Sequence, residues 1–202
     1  MKLRTFLLLL LLHSSTSQAA SFGPGYVMIG GGLEYGAAFV ILDDPDATTE
    51  SNGYQIFRNV PAALEVGINE HMGMGLQFRK CKYLGEGDSI KAGSIDYGIF
   101  FNYHFVVTNQ TNSFAGIRAG ISDLSFEKTR TAETFEKKGP AFQLYGGVNM
   151  LIVSKLGLQL TLGLNSSIYK DGELVDPRSP IVKQYGVSIH GLDMGMGIFF
   201  IL

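Results

Sequence analysis

The sequence predicts an all-β chain, an eight-stranded antiparallel up-and-down transmembrane β-barrel. Three observations carry that expectation. Apolar residues recur on alternate positions through most of the 202 residues, and a period of two marks a strand with two chemically different faces. Mean hydropathy is +0.16, yet past residue 20 no apolar run reaches the roughly 20 residues that a membrane helix needs. The last segment puts Leu192, Met194, Met196, Ile198, Phe200 and Leu202 on one face and Asp193, Gly195, Gly197, Phe199 and Ile201 on the other. An oily face toward lipid and a small or polar face toward a lumen is the pattern of a membrane barrel.

The first 20 residues read as a secretory signal that is removed, leaving 21–202 as the barrel. Lys2 and Arg4 form a positive start, Phe6 to Leu12 an apolar run, and small residues such as Ala19 and Ala20 a cleavage region. Loss of Lys2 and Arg4 takes the formal charge from −2 to −4, a balance that argues against nucleic acid as a partner. The lone cysteine, Cys81, has no internal partner for a disulfide and reads as a thiol packed in the wall.

Strand one, 26–42, sets Ile29, Leu33, Tyr35 and Phe39 opposite Gly32, Glu34, Gly36 and Ala38. Residues 43–55 hold Asp-Pro and Asn-Gly and read as a loop. Strand two, 56–69, sets Leu64, Val66 and Ile68 against Ala63, Glu65 and Gly67, and ends in a tight turn at 69–71. Strand three, 72–83, opposes Met72, Met74, Leu76 and Phe78 to Gly73, Gly75, Gln77, Arg79 and Cys81, before a charged loop at 84–92. Strand four alternates most cleanly, with Ile95, Tyr97, Ile99, Phe101, Tyr103 and Phe105 against Ser94, Asp96, Gly98, Phe100, Asn102 and His104. A turn follows at 108–112.

Strand five, 114–126, opposes Ile117 and Ile121 to Arg118 and Ser122, and Leu124 and Phe126 break the pattern at its upper end. Residues 127–139 read as a loop of mixed charge. Strand six, 140–152, opposes Phe142, Leu144 and Val148 to Gln143, Tyr145 and Asn149. After a turn at 154–155, strand seven, 157–169, carries Leu158, Leu160, Leu162 and Leu164 against Gln159, Thr161, Gly163 and Asn165. Residues 170–180 form the last long loop. Strand eight, 181–202, changes phase between Ile189 and Leu192, which predicts a bulge at His190-Gly191.

Connections thus alternate long and short, which places every long loop on one side, as bacterial outer-membrane barrels do. An even number of strands closes without an edge, and in hydrocarbon an open edge is not viable. A soluble barrel of the lipocalin kind would invert the faces. The Gly-, Asn-, Gln- and charge-rich set suits a narrow interior, and Leu160, Ile99 and Met196 are expected to point outward.

An interior of eight strands is filled by side chains, so the charges there must pair. The expected lumen network is Glu34, Glu65, Arg79, Asp96, His104, Arg118 and Asp193. Counting from the turns puts Glu34, Arg79 and Asp193 near mid-barrel and Glu65, His104 and Arg118 lower. Two arginine-centred layers with carboxylate partners follow. The default role is a structural plug; a gated proton or small-ion path is the alternative.

The chain resembles the small eight-stranded outer-membrane barrels, the OmpA/OmpX-like and opacity-protein-like group, by signal, alternation, loop asymmetry and terminal strand. Such barrels often end in an aromatic residue, whereas this sequence ends Phe199-Phe200-Ile201-Leu202. The resemblance implies a monomer in a Gram-negative outer membrane, inserted by the barrel-assembly machinery and surrounded by outer-membrane lipids and lipopolysaccharide. The outer loops are the expected surface for a host or surface ligand. Lys128, Arg130, Lys137 and Lys138 against Glu127, Glu133 and Glu136 make 127–139 a mixed, solvated example.

Other chemistries fare less well. Some barrels of this size resemble lipid A deacylases or acyltransferases, and Ser188 and His190 share one face of strand eight as a possible nucleophile and base. Neither their order nor their flanks reproduce a His-x-Ser-Asn pattern, so no enzyme is expected. Four scattered histidines and one cysteine give no metal-ligand spacing. Gly30-Gly31-Gly32 has no following Lys-Ser/Thr and no helix, which removes a phosphate loop. No cofactor is expected.

Overall fold

The computed structural model describes residues 22–43, 51–84, 90–108, 110–128, 132–175, 177 and 182–202. The expected signal at 1–20 and parts of all four expected long loops lie outside these residues. Every regular element among the described residues is a strand. They run β1 (Val27–Asp43), β2 (Ser51–Gly67), β3 (Met72–Leu84), β4 (Ile90–Val107), β5 (Thr111–Lys128), β6 (Thr134–Val153), β7 (Leu156–Val175) and β8 (Val182–Ile201). Each pairs antiparallel with its neighbours in sequence, and β1 pairs with β8 to close the ring.

The faces are sorted as the alternation expects. Leu160, Ile99 and Met196 are 44%, 51% and 62% exposed on the outside, while Glu34, Arg79, Asp96 and Asp193 are buried within. An oily outer surface extends around the barrel, far more than the few hundred Å² of apolar patch that a monomer in water exposes. Inward and outward positions also differ in size. Small Gly, Ala and Ser residues share the interior with the charged set, because eight strands leave a bore only side chains wide.

Several strands are longer than the sequence pattern indicates. β6, β7 and β8 each span 20 residues, about twice what a tilted strand needs to cross a bilayer. Most of the expected loop at 127–139 is paired strand, with Glu127 opposite Thr134 and Phe126 opposite Phe135. The two rings stack at 4.9 Å. Half of the expected loop at 170–180 likewise belongs to β7. These upper segments carry polar residues outside and apolar residues inside, so their average composition resembles a loop even though their backbones are laddered.

The expected bulge at His190-Gly191 is absent. β8 keeps one register against β1 from Gly186 to Ile201, and Val187, Ile189 and Asp193 all face inward. The apparent phase change arises because the interior itself turns apolar at that height. The bulge lies instead in β7, where register shifts between Tyr169 and Gly172 against β8. Asp171 there adopts φ 53°, and Lys137 Nζ donates to its carbonyl at 3.0 Å. An Asp-Gly pair that reads as a turn in sequence therefore serves as one extra residue in a continuing strand.

The β1–β2 ladder passes from the Gly31–Ala62 pair directly to the Glu34–Asn59 pair. Pro61 lies in that gap and has no N–H to donate.

Candidate functional site

The lumen is stacked in three storeys. In the middle one, Arg79 on β3 stands opposite Asp96 on β4 and donates to Asp96 Oδ2 from Nε at 2.9 Å and from Nη2 at 2.8 Å. Its Nη1 donates to Asn165 Oδ1 at 2.8 Å and to Asp193 Oδ2 at 3.4 Å, and lies 3.7 Å from Glu34 Oε2. One guanidinium thus serves three carboxylates, which its planar fork of donors permits. The remaining acceptor sites are also used. Ser94 and Ser122 donate to Asp96 Oδ1, Asn59 to Glu34, and Gln143 and Asn165 to Asp193.

Glu65, His104 and Arg118 do not form the second arginine-centred layer that the heights indicate. His104 Nε2 lies 2.8 Å from Glu65 Oε1, and its Nδ1 lies 2.6 Å from Asn112 Oδ1. Arg118 instead sits 5.2 Å over the Tyr145 ring, a cation–π arrangement. Tyr145 in turn donates to Asn102 at 2.6 Å. The Nε and Nη1 atoms of Arg118 have no hydrogen-bond partner among the described residues. They border a small chamber of about 50 Å³ shared with Glu34, Glu65 and Gln143, space for a few waters at most. Glu65 is engaged by His104, which leaves Arg118 without a carboxylate in contact among the described residues.

Below this storey, a short segment seals the turn end. Pro24 and Gly25 make a turn with Gly25 at φ 82°, closed by Tyr26 N–H donating to Gly23 O at 3.1 Å. Only glycine takes that φ cheaply at the third position of a type II turn. The turn sends Phe22 into the mouth, where its ring lies 3.7 Å from that of His104. Burial, and then the charge of Glu65, push the Tyr26 phenol above its ordinary pKa. Sequence reading assigned these residues no role; two aromatics flanking Pro-Gly just past the expected cleavage region were the available signal.

Above the arginine, the lumen is apolar. Phe57, Cys81, Leu124, Phe135, Tyr169 and Ile189 form one buried cluster. Tyr169 links the storeys, donating to Ser122 at 2.6 Å. Leu124, read as a break in pattern, stays in phase with Ser122 and simply joins this plug.

Ser188 and His190 lie on the outward face of β8, but His190 does not pair with Ser188. Its Nδ1 is 3.1 Å from Ser166 Oγ on β7, the residue directly across the ladder. Among the described residues no carboxylate is bonded to His190, so the serine and the imidazole have no acidic group to orient them.

No family model matches the chain, and no curated protein matches it by sequence. Solved structures do resemble it. AlkL, an outer-membrane protein solved in lipid bilayers, superposes with TM-score 0.60 at 10% identity over 94% of this chain and 95% of AlkL. OprG of Pseudomonas aeruginosa gives 0.57 at 12% identity over 90% and 99%. The outer-membrane protease OmpT of Escherichia coli gives 0.54 at 9% identity over 93% and 100%. The likeness is one of fold: this chain has the closed antiparallel barrel of outer-membrane β-barrel proteins.

Proposed function

We propose that the chain is an integral outer-membrane protein, a monomer exported by a cleaved signal, whose lumen is filled and whose role is structural or surface contact. The single observation that carries this is the inversion of faces, with hydrocarbon side chains outward and the Arg79 network inward. Such an arrangement is stable only where the outside is lipid. The strand extensions above the apolar band, with polar residues such as Glu136 and Lys138 outward, form the surface that would meet a host or environmental ligand. Insertion by the barrel-assembly machinery and contact with lipopolysaccharide belong to the same reading.

A non-catalytic role is favoured by this chain's own residues. OmpT is a protease, but among the described residues the Ser166–His190 pair here faces outward without an acid, and in the lumen Arg79 is engaged with Glu34, Asp96 and Asp193, His104 with Glu65, and Arg118 with the Tyr145 ring. A conduit is disfavoured by closure at both ends, by Phe22 below and the apolar cluster above. Two measurements test the reading. Fractionation with heat-modifiable gel migration should place a folded barrel in the outer membrane, and purified protein in planar bilayers should give no steady openings. Recovery in a soluble fraction, or stable single-channel current, would overturn it.

A further inference from the structure

The charges around the outward rim are not distributed evenly. Between β5 and β6, Asp123 and Lys138 pair at 3.4 Å. Between β4 and β5, Lys91 stands opposite Glu127. Between β2 and β3 the arrangement differs: Arg58 stands directly opposite Lys82, and Lys80 is opposite Val60, one outward position lower. All three are exposed. Their other cross-strand neighbours are Tyr35, Gly93 and Ile95. Among the described residues no carboxylate pairs with any of the three. Like charges directly opposite on adjoining strands repel, so an anion placed between them would relieve a standing cost.

What lies beneath defines the kind of anion. Phe78 follows Lys80 down β3, and Val60 and Ala62 follow Arg58 down β2. There an open apolar hollow of about 660 Å³ is walled by Ala62, Leu64, Phe78, Tyr97, Ala119 and Ile121. The outward side chains of Ala62 and Ala119 are small among larger neighbours, which leaves a furrow along the oily surface. A soluble anion would use the cations and ignore the furrow.

We propose that this face binds one phosphorylated, acylated glycolipid of the outer leaflet, its phosphate held by Arg58, Lys80 and Lys82 and an acyl chain laid in the furrow. The assignment rests on the outer-membrane reading above. Phosphate suits these residues because charge-assisted donors from Arg and Lys give the strongest hydrogen bonds to its oxygens. Basic groups at a membrane surface also gain from anionic headgroups there.

The test titrates the full-length folded barrel in neutral detergent with diphosphoryl lipid A and counts adducts by native mass spectrometry. Wild type should carry one lipid. The rim variant R58Q/K80Q/K82Q should bind on the order of a hundredfold more weakly, with K82Q alone in between. K138Q/K155Q/K170Q removes the same charge elsewhere and should bind as wild type does. Ala119→Trp, which fills the furrow, should also weaken binding, and inorganic phosphate should not displace the lipid.

Unchanged binding in the rim variant, or equal loss in both triple variants, overturns the site. Displacement by inorganic phosphate with no effect of Ala119→Trp means a free-anion site and overturns the lipid. Each variant is first checked for heat-modifiable migration. A wild-type chain that fails that check, or is absent from the outer membrane, undoes the membrane reading instead.

Discussion

Arg79 donates twice to one oxygen of Asp96, from Nε at 2.9 Å and Nη2 at 2.8 Å, leaving Asp96 Oδ1 to Ser94 and Ser122. That division of labour ties four inward strands together. β3 supplies the arginine, β4 the aspartate and one serine, and β5 the other serine, on which Tyr169 of β7 closes. The same guanidinium reaches Glu34 of β1 and Asp193 of β8 across the seam where the ring closes. A narrow bore that cannot hold bulk water is thereby filled, at this height, by one cation paired with three carboxylates.

Replacing Arg79 by Met should therefore cost more than one ion pair. It leaves Glu34, Asp96 and Asp193 buried with no cation in contact, and breaking a buried pair in this way costs about 3–5 kcal/mol. Arg79→Lys keeps the charge but loses the fork and should cost less. The chain has no tryptophan, so the urea midpoint is best followed by heat-modifiable gel migration. A midpoint for Arg79→Met equal to wild type would show that the network adds nothing to stability.

Phe22 is held only by what it covers. Its ring is buried against His104 and lies 5.0 Å from Tyr26. Phe22→Ala should destabilise the barrel by about 3 kcal/mol, the usual cost of emptying an aromatic site, while Phe22→Leu recovers most of it. Hydrogen exchange of the His104 backbone amide, which donates to His71 O at the turn end, should accelerate in the alanine variant. If neither the midpoint nor the exchange rate moves, the 22–26 segment does not seal the mouth.

How much of this was legible in the sequence depends on chemical contrast. The lower two-thirds of the wall alternates oil with glycine and charge, so strand number, face and the inward set were readable from a period of two. In the upper third that contrast inverts. Leu124, Phe126 and Ile189 turn inward among apolar neighbours, while Glu136, Lys138 and Ser188 turn outward, so a continuous phase resembled a broken one. Asp171-Gly172 carried a true turn signal that pairing on both sides converted into a bulge. Cross-strand partners were beyond reach because one sequence does not reveal register. Arg79 meets Asp96 only because β3 and β4 are offset as they are, and the same offsets deny Arg118 a carboxylate. Ser166, the partner of His190, was hidden for the same reason.

Gly172 sits where any side chain would meet the Phe135 ring. A Cβ at this position would collide with Phe135 Cε2 and Cζ. Gly172→Ala should destabilise by about 1–3 kcal/mol through overpacking, and Phe135→Leu in the same chain should recover part of that loss. The double-mutant cycle is the measurement, with coupling of at least about 0.5 kcal/mol expected for residues in contact. Additive losses would mean that ring and backbone relax independently and that the bulge does not depend on the glycine.

Cys81 reports directly on whether the upper lumen is shut. Its side chain is 6% exposed and packs within the cluster of Phe57, Leu124, Phe135 and Tyr169. A thiol reacts only where reagent can reach it, so a water-soluble maleimide should leave the folded barrel unlabelled and label it fully after heating in detergent. Leu124→Ala removes one wall of the plug and should raise the labelling rate of the folded protein without changing its gel migration. Labelling of the folded wild-type protein at the rate of a free thiol would mean that water enters from the long-loop end. The plugged lumen, and with it the argument against a conduit, would then fail.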